Sequence, residues 1–293
     1  MAKGFGKPSK PTKSKPDSVN LKDPRMLAEA RRRLQDMEET INLCEMTIKQ
    51  RLKDELENPP EWALDLPYRE QFFQFQADFM RTLSIDNALV IHKMAESEIE
   101  KIFFGSILCN SVNMDELIIF GVCDGDIEEE ALESDRCVAR LKQELEEMSF
   151  QEQLKHVEML DKGKAGIASK YFWSTYAGGL WNKLHISLQS KALNIKVEGK
   201  SIRADAFAWL PSQVHNGVFI ECDGFQTHSD KQHFIADRKR DRVIKSKGYD
   251  VYRFSGSEIW SNCLFVGLEC LIMLRKHMGI GSDESLKFLS ELR

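Results

Sequence analysis

Glu221 and Asp223 stand two residues apart at the end of the apolar run "VFIECDGFQTHSD" (218–230), and His228 follows them. Side chains alternate along a strand, so Glu221 and Asp223 share one face and Cys222 takes the other. Upstream, "KSIRADAFAWL" places Asp205 on a face with Arg203 and Phe207, while Ala204 and Ala206 point away. If the two runs pair, Asp205 lies beside Glu221. Carboxylates that close repel unless something positive sits between them. Hard oxygen donors select Mg2+ or Mn2+, so Asp205, Glu221 and Asp223 are the expected metal ligands, with the Cys222 carbonyl as a further donor. Such an ion activates water and neutralises charge on a phosphoryl group. The competing reading is a buried polar network that only pins strand register.

The run "DRKRDRVIK" (237–245) carries the opposite charge. Arg240 is expected to clamp a phosphate through its planar fork, with Lys239 and Lys245 as further phosphate-binding cations. Taken alone, this run would suit any solvated helix. His228 falls five residues past Asp223, where it could shuttle a proton or orient water. Its other reading is a helix-entry histidine bonded to backbone.

These residues need elements to hold them. "GVFIECDG" reads as a buried strand. "SDKQHFIADRKRDRVIKSKG" reads as a helix with Ser229 or Asp230 as N-cap and Gly248 as C-cap. "YDVYRF" is a second strand, and Ser255 with Glu258 opens a last helix at capping-box spacing. A strand–helix–strand crossover makes the two strands parallel neighbours. Glu198-Gly199 is the expected turn of a hairpin. Farther upstream, Ser97 and Glu100 form a second S-x-x-E box ahead of an apolar helix.

The N-terminal third differs. Residues 1–24 are rich in Lys, Pro and Ser and are expected to be a disordered basic tail, either solubilising or phosphate-binding. Leu27, Leu34, Ile41 and Ile48 recur every seven residues, with Ala30, Met37 and Cys44 between them. Residues 25–57 are therefore a helix that forms either a coiled coil, through a homodimer or a partner protein, or part of its own domain. From Asp115 to Glu147 twelve acids face three basic residues. Residues 127–161 read as a long charged helix whose acids form a solvated face.

Composition sets the outer bounds. The 293 residues carry a net charge of −5 and are 42% hydrophobic. No apolar run approaches the ~18–20 residues needed to cross a bilayer, and no apolar core follows the first lysines, so neither a membrane span nor a secretory signal is expected. Seven cysteines without a C-x-x-C fit a reducing, cytoplasmic setting rather than a disulfide scaffold or zinc ribbon.

In combination, "RADAF", "VFIECDGFQTH" and "DRKRDRVIKSKGYDVYRFSGSEI" resemble the PD-(D/E)xK nuclease superfamily, most of all the branch related to very-short-patch-repair endonucleases and their uncharacterised bacterial relatives. Asp205 matches the branch's strand aspartate. Glu221, Asp223, Gly224 and His228 match its acidic block, and Asp237, Arg240 and Asp241 its helix. Gly248, Tyr249, Arg253 and Phe254 match the next strand, while Ser97, Ile99 and Glu100 fit the opening helix. The match covers about 200–260 closely and 96–104 loosely. Alanine rather than proline precedes Asp205, and Asp223 stands where a lysine is usual.

The resemblance implies an α/β fold with a restriction-endonuclease-like core, a mixed central sheet flanked by helices. An N-terminal helical region (25–90) would precede a nuclease domain (91–293) interrupted by a helical insertion at about 109–183. It implies an Mg2+- or Mn2+-dependent endodeoxyribonuclease in a phage-defence, mobile-element or repair setting. Asp205 and Glu221 would hold the ion and Asp223 would ligate it or a bound water. His228 would assist proton transfer, or Lys239 or Lys245 would reach in instead. Glu100 would bind a second metal, steer water, or only cap its helix. DNA is the expected partner, with RNA as the other substrate class. The alternative is a catalytically inactive DNA- or RNA-binding module of the same fold, and a third reading is an interaction protein led by its N-terminal coil.

Overall fold

The computed structural model describes residues 24–65, 69–114, 116–121, 183–191, 195–223 and 231–282, with isolated positions elsewhere. Expectations for the 1–23 tail, for Gly224 and His228, for the Ser229/Asp230 cap and for most of 122–182 lie outside the described residues.

Helix α1 runs Pro24–Glu57 and stops ahead of Pro59 and Pro60, as expected of residues that cannot continue a helix. Its chain contacts divide after Asp36 into the units Met1–Asp36 and Met37–Arg293. In the first, Leu27 and Leu34 are solvent-exposed and Glu29 bridges Arg32 and Arg33. In the second, Cys44 and Ile48 are core residues. The heptad positions thus split, with the later ones belonging to the domain's own core.

Helices α2 (Arg69–Met94) and α3 (Glu98–Asn113) follow, then strands β1 (Ile118–Gly121) and β2 (Leu184–Leu188). The hairpin β3 (Lys196–Val197) and β4 (Lys200–Ser201) turns through Glu198 and Gly199, whose φ values of 51° and 79° are those of a type I′ turn. Strands β5 (Ala206–Trp209) and β6 (Val218–Asp223), helix α4 (Lys231–Ser246), strand β7 (Asp250–Ser255) and helix α5 (Gly256–His277) complete the order. α4 ends at Gly248, whose φ of 91° ends the helix at little steric cost. The Ser255–Glu258 capping box opens α5.

One five-stranded mixed sheet has the order β1-β2-β5-β6-β7. β1/β2 and β6/β7 are parallel, and β5 is antiparallel to both of its neighbours. The expected parallel neighbours β6 and β7 are therefore present.

Three expectations need correction. β1 lies inside the stretch expected to be a helical insertion, because four residues of strand suffice at a sheet edge. No boundary falls near residue 90: Ala77, Met80, Ala88 and Ile91 of α2 share a core with α3 and the sheet, and Asn87 holds β1 through the Ile118 carbonyl (2.8 Å) and the Phe120 amide (3.0 Å). Finally, "KSIRADAFAWL" is not one strand. β4 ends at Ser201 and β5 begins at Ala206, so Asp205 occupies the bend just before β5.

The sheet has two buried faces. Ala206, Ala208, Val218 and Ile220 pack with Phe103, Phe104 and Ile107 of α3 and with Ile259, Cys270, Leu271 and Leu274 of α5. α3 and α5 approach closely at Gly267, where an added Cβ would lie 2.9 Å from the Ser106 backbone. On the other face Phe207, Trp209 and Phe219 pack with Ile244 of α4 and with Tyr249. Phe207 and Phe219 lie 4.9 Å apart, each 5.9 Å from Tyr249. Among the described residues no helix is long and apolar enough to cross a membrane.

Candidate active site

Alternation along β6 decides where the acids go. Phe219 faces the α4 side, so Glu221 and Asp223 face it too, beyond the point where aromatic packing ends. The carboxyl ends of β6 and β7 lie together in register, with Glu221 opposite Arg253 and Asp223 opposite Ser255. In open α/β sheets this end of the strands is the usual place for ligands.

Asp205 reaches the same place from the bend ahead of β5. Its Oδ2 accepts the Cys222 amide at 2.7 Å, so it is fastened to β6 beside Glu221, as the pairing argument expected. No described residue donates to its other oxygen. Burial pushes the Asp205 carboxyl up to about 6; the Cys222 amide and Arg240 oppose that shift, while the charges of Glu100 and Asp223 add to it. Glu221 is only 6% exposed. Burial pushes it up to about 8, opposed first by Arg240 and reinforced by Asp205. Burial also raises the Cys222 thiol, which keeps it an uncharged thiol rather than a thiolate.

The cations that balance these acids come from α4 and β7. Arg240 pairs with Glu221 Oε1 through Nη2, and the same nitrogen donates to the Arg203 carbonyl at 2.8 Å. Arg253 donates to Asp223 at 2.7 Å and grips Asp241 with two nitrogens, at 3.2 and 2.8 Å. Burial works against the charge on Arg253, but the Asp241 hydrogen bonds and the Asp223 and Asp241 charges outweigh it and raise its pKa. Arg240, expected to clamp a phosphate, is paired here with Glu221, and Arg253 is paired with Asp223.

Glu100 does more than cap α3. Ser97 Oγ accepts the Glu100 amide at 3.2 Å, while the Glu100 carboxylate takes donors from Ser97 Oγ (2.9 Å), the Glu96 amide (3.0 Å) and Gln189 Nε2 (2.7 Å). It is 6% exposed and close enough for its charge to raise Asp205. Gln189 was not anticipated. It follows β2 with a φ of 50°, and its amide donates to the Asp205 carbonyl at 2.8 Å. The alternation of Leu184, Ile186 and Leu188 with His185 and Ser187 was the available signal for that strand.

The structure thus brings together Glu100, Asp205, Glu221, Asp223 and Arg240. Lys239 pairs instead with Glu198 of the hairpin turn, and Lys245 lies 3.8 Å from Asp250. Among the described residues neither lysine forms an ion pair with Asp205, Glu221 or Asp223, and no group of three or more His, Cys, Asp or Glu side chains is arranged to hold a metal ion. The donors fit a hard divalent ion in kind: Asp205 keeps an oxygen that no described residue hydrogen-bonds, and repulsion among buried carboxylates is what such an ion relieves. Asp223 fits less well, since Arg253 already holds it.

Comparison with protein-family models, with curated proteins and with solved structures finds no match to this chain.

Proposed function

We propose that the chain is a divalent-metal-dependent nuclease that hydrolyses DNA phosphodiester bonds, an Mg2+- or Mn2+-dependent endodeoxyribonuclease. The observation that carries this reading is the convergence of Asp205, Glu221 and Glu100, from three separate elements, at the carboxyl end of β6, where burial and mutual repulsion lift Asp205 and Glu221. The mixed sheet flanked by helices agrees with the resemblance to PD-(D/E)xK nucleases.

Asp205 and Glu221 are the residues that would hold the ion, with the Cys222 carbonyl as a third oxygen. The ion would supply Lewis acidity, lowering the pKa of water and offsetting phosphoryl charge. Arg240 extends from α4 to Glu221 and would position a phosphate. Gln189 fixes Glu100, which would steer an approaching water. Asp223 acts through its bond to Arg253, and His228 is the candidate for proton transfer.

The test is incubation with linear DNA, circular DNA and RNA in Mg2+, Mn2+ or EDTA. Cleavage that needs metal and disappears in the Asp205→Ala/Glu221→Ala variant supports the reading. Equal cleavage by that variant sinks the metal site. A second reading has its own support: Arg240 and Arg253 already pair with Glu221 and Asp223, which suits a nucleic-acid-binding module without catalysis. Metal-independent binding with no cleavage of any substrate would favour it.

A further inference from the structure

The two site arginines are held differently, and that difference supports a step beyond the proposed function, on which it rests. Arg253 commits all three guanidinium nitrogens to carboxylates: Nε and Nη2 to Asp241 at 3.2 and 2.8 Å, and Nη1 to Asp223 at 2.7 Å. Arg240 engages Glu221 and the Arg203 carbonyl through Nη2 alone. Its Nε is buried without an acceptor, and Oε1 of Gln189 at the same site is buried without a donor. A desolvated donor without a partner is unfavourable, and a guanidinium edge suits two oxygens of a phosphate or carboxylate.

Glu221 therefore has one partner that is incompletely satisfied. A divalent ion on Asp205 and Glu221 would place a second positive charge beside Arg240, and like charges there oppose each other. Arg240 holds Glu221 through Oε1, and an ion drawing on the same carboxylate charge weakens that pair.

We propose that Arg240 and a divalent cation are alternative partners of Glu221, so that metal binding releases the Arg240 fork to a phosphate of the nucleic-acid backbone. Arg253 does not take part in this exchange; it is a positioning residue that ties Asp223 to α4. The exchange makes nucleic-acid binding depend on metal through a side chain rather than through the ion alone.

The test uses the full chain and reads binding, not cleavage. Mn2+ affinity, measured from the electron paramagnetic resonance signal of free Mn2+ without nucleic acid, should be about fivefold or more tighter in Arg240→Gln than in the unaltered protein. DNA affinity, measured with and without Ca2+, which takes the same oxygen donors, should rise more with Ca2+ in the unaltered protein than in Arg240→Gln. Arg240→Lys keeps the charge without the fork. It should bind Mn2+ like the unaltered protein yet show a smaller Ca2+-dependent gain, and it decides the matter if the glutamine variant fails to fold by circular dichroism. Unchanged or weaker Mn2+ affinity in Arg240→Gln, or a Ca2+-dependent gain as large in Arg240→Lys as in the unaltered protein, overturns the exchange and leaves the nuclease reading intact. No Mn2+ binding by the unaltered protein, matching an Asp205→Asn control, overturns both.

Discussion

On one face of the sheet Ala206, Ala208, Val218 and Ile220 meet the helices α3 and α5; on the other, Phe207, Trp209 and Phe219 meet α4 and the residues beside the hairpin. The first face uses small side chains, because two helices, one of them buried along nearly its whole length, come close to the strands. The second uses large aromatic rings, packed with Ile244 of α4 and with the buried Ile127 and Ala131. Where those rings end, at Phe219, the same face continues as Glu221 and Asp223. On the α3–α5 face the strands stay apolar up to Cys222. On the α4 face they stop being apolar at Phe219, and the charged groups of α4 and β7 meet Glu221 and Asp223. The candidate site is thus the unfinished edge of the smaller core.

Substitutions can break this contrast in graded steps. The largest effect should come from the α3–α5 face. Phe104→Ala, at a fully buried position, should cost about 3–5 kcal/mol in urea unfolding without altering which carboxylates pair. A loss below about 1 kcal/mol would mean that this face is not the main source of stability. Next, Arg253→Met should cost about 2–3 kcal/mol, since it strips charged hydrogen bonds from both Asp223 and Asp241, each largely buried. If that variant is as stable as the unaltered protein, Arg253 does not brace the site.

A pH effect comes third. Burial raises Asp205 to about 6 and Glu221 to about 8 in the folded chain, above their ordinary values. The folded state then holds more protons than the unfolded state between those limits. Without metal, this contribution to stability is fully present below about pH 4 and is lost as pH rises toward 8. Glu221→Gln removes the titration, so its unfolding free energy should change less between pH 5 and 8 than that of the unaltered protein. Parallel pH curves would show that Glu221 ionises without penalty. The smallest effect belongs to Lys239→Ala, which breaks an exposed pair with Glu198 and should leave the unfolding midpoint unchanged within error. A clear drop would make the hairpin a structural brace of α4.

Much of the site's scaffold was legible because it is local. Alternation placed Glu221 and Asp223 on one face, the Ser255–Glu258 and Ser97–Glu100 spacings marked two helix starts, and Glu198-Gly199 marked the hairpin turn. The adjacency of Asp205 and Glu221 was also inferred, although the bend at Asp205 was not: a run of strand-forming residues carries no sign of where its ladder partner ends. Less was legible wherever a partner lies far along the chain. Gln189 meets Glu100 across 89 positions, and Arg240 meets Glu221 across 19. The heptad in α1 was ambiguous for the same reason, since an apolar stripe does not say what covers it. Cys44 and Ile48 are covered by this domain, while Leu27 and Leu34 are exposed.

Strand alternation, helix caps and turn chemistry act within a few residues, so the amino-acid sequence by itself determined the strand–helix–strand unit from Val218 to Ser255 and the face on which its acids lie. Which charge meets which acid was decided only by tertiary structure. Packing of α4 on the aromatic face sets the reach of Arg240 to Glu221, the parallel register of β6 and β7 sets the reach of Arg253 to Asp223, and the seating of α3 beside the end of β2 delivers Glu100 to Asp205. Ion pairing falls off steeply with distance and burial, and both quantities exist only once the sheet and its helices are assembled.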